Sequence, residues 1–287
     1  GRDWRPCVDG GWTQPMAISR WLADRIVGAE IHDTIDRLPK VLGSFGFDPW
    51  GYNRSTAKLS LAGAGWLFDH YFRVRVEGLE HIPPTGRVMM VPNHSGQLPL
   101  DGVMLGVAMA RNRAGPRAPR AMIERFFPTV PFLGNFMNGL GAVVGDPVNC
   151  GAMLEHEEAI IVFPEGIRGS GKVWHKRYQL QRFGTGFMHL AMRHRTPIVP
   201  VGIVGCEETM PSFSDLKPLA RPLGLPYIPL GPLLPLPARV SLHIGEPLRF
   251  DNDCEHEHDI APRIEEVKSE IRKLIRRGLE QRQSIYR

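Results

Sequence analysis

The sequence predicts an α/β protein with a mostly parallel central sheet flanked by helices and a helical segment in front of it. Short apolar runs at 88–91, 121–123, 142–144, 160–163, 198–204 and 240–244 read as strands. Helical periodicities at 102–110, 132–140, 149–158 and 185–194 separate most of them, and such alternation builds parallel strands joined by crossover helices. Before Arg73 the apolar spacing is helical only. The chain therefore divides into an N-terminal amphipathic helical segment, 1–72, and an α/β domain, 73–287, that ends in a basic helix.

At 287 residues the chain buries a sizeable core, and 43% hydrophobic with 23% charged residues excludes disorder and coiled coil. A net charge of +5 and a pI near 9.2 favour an anionic partner: nucleic acid, a phosphorylated ligand or an anionic membrane surface. Nucleic acid is set aside, because no zinc-finger, RNP or basic-zipper pattern occurs and the aromatics do not interleave with the arginine clusters. Cys7, Cys150, Cys206 and Cys254 lie far apart, which argues against a zinc finger or disulfide scaffold and for a reducing, cytoplasmic home. No apolar run approaches the ~20 residues of a membrane span, and the start lacks a signal-peptide layout.

In chain order, Trp21, Leu22, Ile26, Ile31, Ile35 and Leu38 recur at helical spacing over 18–38. A Gly-, Pro- and Asn-containing break at 43–53 precedes a second helix at 56–71 bearing Leu59, Trp66 and Phe68. These helices either pack on the core or offer their aromatics to a bilayer interface. Residues 73–76 alternate as a strand. The stretch 216–237 is rich in Pro, Leu and Gly with almost no charge, so it is neither helix nor central strand and lies over an apolar surface. From 259 to 281 Val267, Ile271 and Ile275 share a helical face opposed by Lys268, Arg272 and Arg276, a basic face for solvent or anionic lipid.

Two strand ends carry chemistry. The run at 88–91 delivers Asn93 and His94 to a Pro/Gly-rich turn before Asp101 opens a helix. Imidazole titrates near neutrality and can take a proton from a hydroxyl, while a carboxylate fixes its tautomer; the plainer reading is a solvated His and a capping Asp. The run at 160–163 ends in a turn displaying Glu165, Gly166, Arg168 and Gly169, where glycines let backbone approach a ligand and an Arg fork suits phosphate. Ser95 is a weak nucleophile candidate, since no Gly-x-Ser-x-Gly surrounds it. His256 and His258, in a polar stretch at 251–259, read as a hydrated loop and cap, and no metal is assigned. Arg111, Arg113, Arg117, Arg120, Lys172, Lys176, Arg177 and Arg182 are candidates for the phosphates of a ligand, with solvated surface as the plainer reading.

Together these stretches resemble the glycerolipid acyltransferase superfamily, which makes phosphatidic acid from lysophosphatidic acid and includes monoacylglycerol acyltransferases. Its first motif corresponds to Asn93, His94 and Asp101, and its third, Phe-Pro-Glu-Gly-x-Arg, to Phe163, Pro164, Glu165, Gly166 and Arg168. The fourth resembles 197–204 and the second resembles 130–134 with 141–144, so the likeness spans about 73–250. The resemblance implies His94 as general base, Asp101 as its orienting partner, and Asn93, Glu165, Gly166 and Arg168 in substrate binding. It also implies acyl-CoA or acyl carrier protein as donor, a lysophospholipid or monoacylglycerol acceptor with lysophosphatidic acid first, no cofactor, and peripheral attachment to an anionic membrane. Two features depart from the family pattern. Six residues separate His94 from Asp101 where the common form has four, and Gly145-Asp146-Pro147 stands where the second motif usually ends in a phosphate-holding Arg. A non-catalytic lipid-binding protein and a thioester hydrolase are the alternatives, distinguished by whether turnover needs a lipid hydroxyl.

Overall fold

The computed structural model describes residues 27–38, 47–95, 98–123, 137, 140–170, 172–215, 229–232, 234–250 and 260–286. Most of the helix expected at 132–140, the front of that at 18–38, residues 216–228 of the Pro/Leu-rich stretch 216–237 and the polar stretch 251–259 lie outside the described residues.

Ala29–Asp36 (α1) is followed by Arg54–Trp66 (α2), whose start is fixed by Asn53: its side-chain oxygen accepts the free amides of Ser55 and Thr56. One π-helical turn, Leu67–Tyr71, continues α2 to the first strand. The strands are Arg75–Glu77 (β1), Val88–Pro92 (β2), Arg120–Ile123 (β3), Val143–Val144 (β4), Ala159–Ile161 (β5), Ile198–Val204 (β6), Ser214–Asp215 (β7), Pro229–Leu230 (β8) and Ser241–Ile244 (β9). Between them run Leu100–Ala110 (α3), Pro147–Glu155 (α4), the short Ile167–Ser170 (α5), Gly186–Arg193 (α6) and Cys206–Thr209 (α7), and Ile260–Gln281 (α8) closes the chain. α5, α7 and the small antiparallel β7–β8 pair have no counterpart in the sequence reading, being too short for a period to show.

The main sheet has the order β1-β9-β6-β2-β5-β3-β4. Every pairing in it is parallel except β6 with β9, so β1 and β9 form an edge that runs against the other strands. Both faces are covered. Along β2, Val88 and Met90 point into one core with α2, α3 and Phe72, while Met89 and Val91 enter a second with α4, α6 and α8. That two-sided burial is why the central strands read as unbroken apolar runs rather than as alternation.

α8 lies along β6 with Val267, Ile271 and Ile275 buried, and Gly202 allows the approach: a Cβ there would stand 2.8 Å from the amide nitrogen of Ile275. Its polar face carries the exposed pairs Arg272–Glu265 and Lys273–Glu270. At the other end of the sheet Arg120, 1% exposed, pairs with buried Asp48 and with Glu158, and its guanidinium lies over Trp50 and Tyr52. Asp48 in turn accepts the amides of Trp50 and Tyr52. Arg120 thus clamps the chain at 48–52 onto β3 and is not available to a ligand's phosphate.

Candidate active site

The three adjacent strands β5, β2 and β6 end side by side, and each carboxyl end hands a polar residue to one place. After β2, the Asn93 side chain exchanges two hydrogen bonds with the backbone of Ile203 on β6: its amide donates to the carbonyl at 3.0 Å and its oxygen accepts the amide at 2.7 Å. Fully buried, Asn93, expected among the substrate-binding residues, clips β2 to β6.

His94 comes next, and the six-residue interval does fold back. Asp101, completely buried in the first turn of α3, accepts from Nδ1 of His94 at 2.7 Å and from the Ser95 amide at 2.9 Å through one oxygen, and from the Gly102 amide at 2.8 Å through the other. Helix α3 begins at Leu100, after Pro99, so its positive N-terminal end faces this carboxylate. With Nδ1 held by Asp101, Nε2 is the nitrogen left for a substrate, and the His94 side chain is 17% exposed. The Phe163 ring covers the imidazole with centroids 4.3 Å apart.

Glu165, expected to position an acceptor, is 2% exposed and holds the scaffold of the site. One oxygen accepts the backbone amide of His94 at 2.9 Å and the other the amide of Gln181 at 2.7 Å. The third-motif turn is thereby fastened to His94 itself. Gly166 takes φ +54°, in the region favoured by glycine, and a Cβ on Gly169 would come within 2.7 Å of the Cβ of His94. Arg168 stands exposed on α5.

Burial works against a charged His94, but the Asp101 carboxylate, its hydrogen bond and the nearby Glu165 outweigh it, with Lys172 opposing them, so the imidazole pKa is raised above 6.5. The arrangement can therefore receive a proton from a hydroxyl at Nε2 and keep the resulting imidazolium paired.

The candidates for a ligand's phosphates divide sharply. Arg117 is buried and donates to the carbonyls of Pro83, Gly86 and Glu157; Arg111 pairs with Asp69; Arg120 is the clamp described above; Lys172 is buried between carboxylates. Arg113, Lys176, Arg177 and Arg182 are exposed, and Arg177 stacks on Trp174 at 4.4 Å. Where the second motif usually has its Arg, Asp146 caps α4 by accepting the amides of Val148 and Asn149. Among the described residues no group of three His, Cys, Asp or Glu is placed to hold a metal, and no helix is long and apolar enough to cross a membrane.

Sequence reasoning missed Glu207, which follows β6 and faces Lys172, and the part played by Gly169. A signal for the first was present: two glutamates directly after an unbroken apolar strand, in a place where they are buried at 6% and 0% exposure.

Fold and site together define an α/β enzyme with a paired imidazole at a strand end, suited to group transfer onto a hydroxyl. Residues 73–204 match the family described as Acyltransferase. An uncharacterized protein of Mycobacterium tuberculosis is 36% identical over 245 residues, covering 82% of this chain and 67% of its own, and one of Mycobacterium leprae is 33% identical over 273 residues, covering 92% and 71%. The 1-acyl-sn-glycerol-3-phosphate acyltransferase alpha of the mouse is 29% identical over 156 residues, 52% of this chain and half of that enzyme's length. In fold, the chain is similar to the 1-acyl-sn-glycerophosphate acyltransferase of Thermotoga maritima, with a TM-score of 0.56 at 21% identity over 80% of each chain. Residues 73–204 thus form an acyltransferase domain, and the protein is an acyltransferase similar over that region to enzymes of the glycerolipid acyltransferase superfamily.

Proposed function

We propose that the protein moves a fatty acyl group from acyl-CoA, or from acyl carrier protein, to a free hydroxyl of lysophosphatidic acid. The observation that carries this reading is the 2.7 Å His94–Asp101 pair, with Nε2 left for the acceptor. His94 takes the hydroxyl proton as the oxygen attacks the thioester carbonyl; the C–S bond breaks, and the imidazolium returns the proton to the departing thiolate. Asp101 holds the tautomer and stabilises the imidazolium, and no acyl-enzyme forms. Exposed Arg168 is the acceptor's phosphate contact, and Lys176, Arg177 and Arg182 lie on the same segment as a basic rim for the donor's phosphates.

The reading is tested by thiol release from a long-chain acyl-CoA with lysophosphatidic acid, monoacylglycerol or lysophosphatidylcholine as acceptor. Release is expected only with an acceptor present, fastest with lysophosphatidic acid. Arg168→Ala is expected to raise KM for that acceptor more than for the neutral one. A single site of this kind, without the second-motif Arg, is expected to be less selective for phosphate than a doubly contacted one. If Arg168→Ala penalises all three acceptors alike, Arg168 is structural and the phosphate assignment fails; release without acceptor makes the protein a thioester hydrolase.

Acceptor and product both reside in bilayers, so the protein is proposed to attach peripherally at the cytoplasmic face, drawn by its net charge of +5. Flotation with anionic liposomes is expected at low salt and should weaken as ionic strength rises. Protein that stays in the bottom fraction at low salt refutes the attachment.

A further inference from the structure

Behind the imidazole lies a second ionic group that acyl transfer by His94 and Asp101 does not use. Lys172 Nζ is 3.5 Å from Glu165 Oε2 and 3.0 Å from Glu207 Oε1, and the three side chains are exposed by only 4%, 0% and 5%. Glu165 is the carboxylate that receives the His94 amide. Glu207 uses its other oxygen to accept the Tyr178 amide at 2.6 Å. Tyr178 reaches back through its hydroxyl to Glu208 and to the Gly205 amide, at the carboxyl end of β6.

We propose that Lys172 and Glu207 are a positioning pair for the reaction: through Glu165 they fix the backbone of the base, and through Tyr178 they fix the basic segment 172–182 in register with it. The proposal rests on His94 being the base. Its physical ground is charge accounting in a dry place. Two carboxylates held this close without a cation cannot both stay ionised, and the one that gains a proton loses its strength as an acceptor. Lys172, 3.5 Å from Glu165, is the cation that offsets the charge of the carboxylate gripping the His94 amide. Burial pushes the Glu207 carboxyl above its ordinary range, and the Lys172 ammonium pulls it back down. One ammonium thus sustains two acceptors, and these hold the two halves of the site.

The experiment compares wild type, Lys172→Met, Lys172→Arg, Glu207→Gln and His94→Gln. Acyl transfer is followed against pH, and the His94 ring is titrated by NMR, its signal being the one missing from His94→Gln. Lys172→Met is expected to lower kcat on the order of 10–100-fold, the scale of a base displaced by a fraction of an ångström. It should also move the His94 titration off its wild-type position, because the ring senses both the ammonium and the Glu165 carboxylate that it partners. Lys172→Arg restores the charge and should recover most of both readouts. Glu207→Gln leaves Lys172 and Glu165 in place, so the ring should titrate as in wild type while KM for acyl-CoA rises through the loosened 172–182 segment. If Lys172→Met is folded and neither kcat nor the titration moves, the pair is only structural and the proposal is wrong. If it does not fold, Glu207→Gln decides: a wild-type KM for acyl-CoA in that variant overturns it. Failure of the underlying reading looks different, since His94→Gln would then keep its activity whatever the Lys172 variants do.

Discussion

Exchange of His94 for alanine is expected to lower acyl transfer at least ~100-fold, with folding and stability close to wild type. The expectation follows from the site: the ring touches Asp101 at Nδ1 and Phe163 on its face, its side chain is partly open to solvent, and the fastening to Glu165 runs through the backbone amide, which alanine retains. Loss of the ring therefore removes the proton acceptor and little else. The pH dependence has a definite sign. The proposed base works when neutral, and the His94 pKa is raised above 6.5, so kcat/KM should climb with pH through a midpoint above the ordinary histidine value. Asp101→Asn removes the main charge that raises it and should carry that midpoint down while cutting the rate by a comparable factor. The same shift means that protonation stabilises the fold: this contribution is fully present below pH 6.5 and is lost as pH rises through the higher native pKa. The working form is the one that has given it up. Thiol release that survives His94→Ala would end the general-base mechanism.

Arg120→Leu is expected to cost about 3–5 kcal/mol, the scale seen when a buried ion pair loses one partner. Asp48, 2% exposed, would be left among the described residues with the Trp50 and Tyr52 amides to meet its charge, and Trp50 and Tyr52 would lose the guanidinium that lies over them. The midpoint of urea unfolding measures the effect, and Arg120→Leu with Asp48→Leu should recover part of it, since a matched apolar pair carries no orphan charge. A change no larger than surface substitutions give, roughly 0.5 kcal/mol, would mean that the clamp is spanned by water and carries little.

Arg120 also marks where sequence reading reached its limit. A basic residue in a polar-looking stretch is predicted to face solvent, and its partners Asp48 and Glu158 stand 72 and 38 residues away, beyond any local pattern. Lys172 and Arg117 misled in the same way. The strands were legible for the opposite reason: β6 is apolar at all seven positions, so 198–204 coincides with the observed strand. His94 and Asp101 were legible as chemistry, since residue type limits what a His and an Asp at a strand end can do. Asn93 and Glu165 were legible as important but not as scaffold, because their partners, Ile203 and the His94 amide, are 110 and 71 residues distant. A motif names the residues that meet, and only the folded chain tells which face the substrate and which face each other.

The edge formed by β1 and β9 bears on how the protein is made. Among the described residues β1 pairs only with β9, joining Arg75–Glu77 to 241–243, and β9 enters antiparallel to β6. On a ribosome, β1 therefore waits for more than half the chain before its hydrogen-bonding edge is covered, and α8, which shields β6, emerges later still. Nascent chains that stop between β6 and β9 would present an open strand edge and an uncovered apolar face together, the combination that recruits chaperones or leads to aggregation. The least forgiving interval in this protein's life then precedes any contact with lipid.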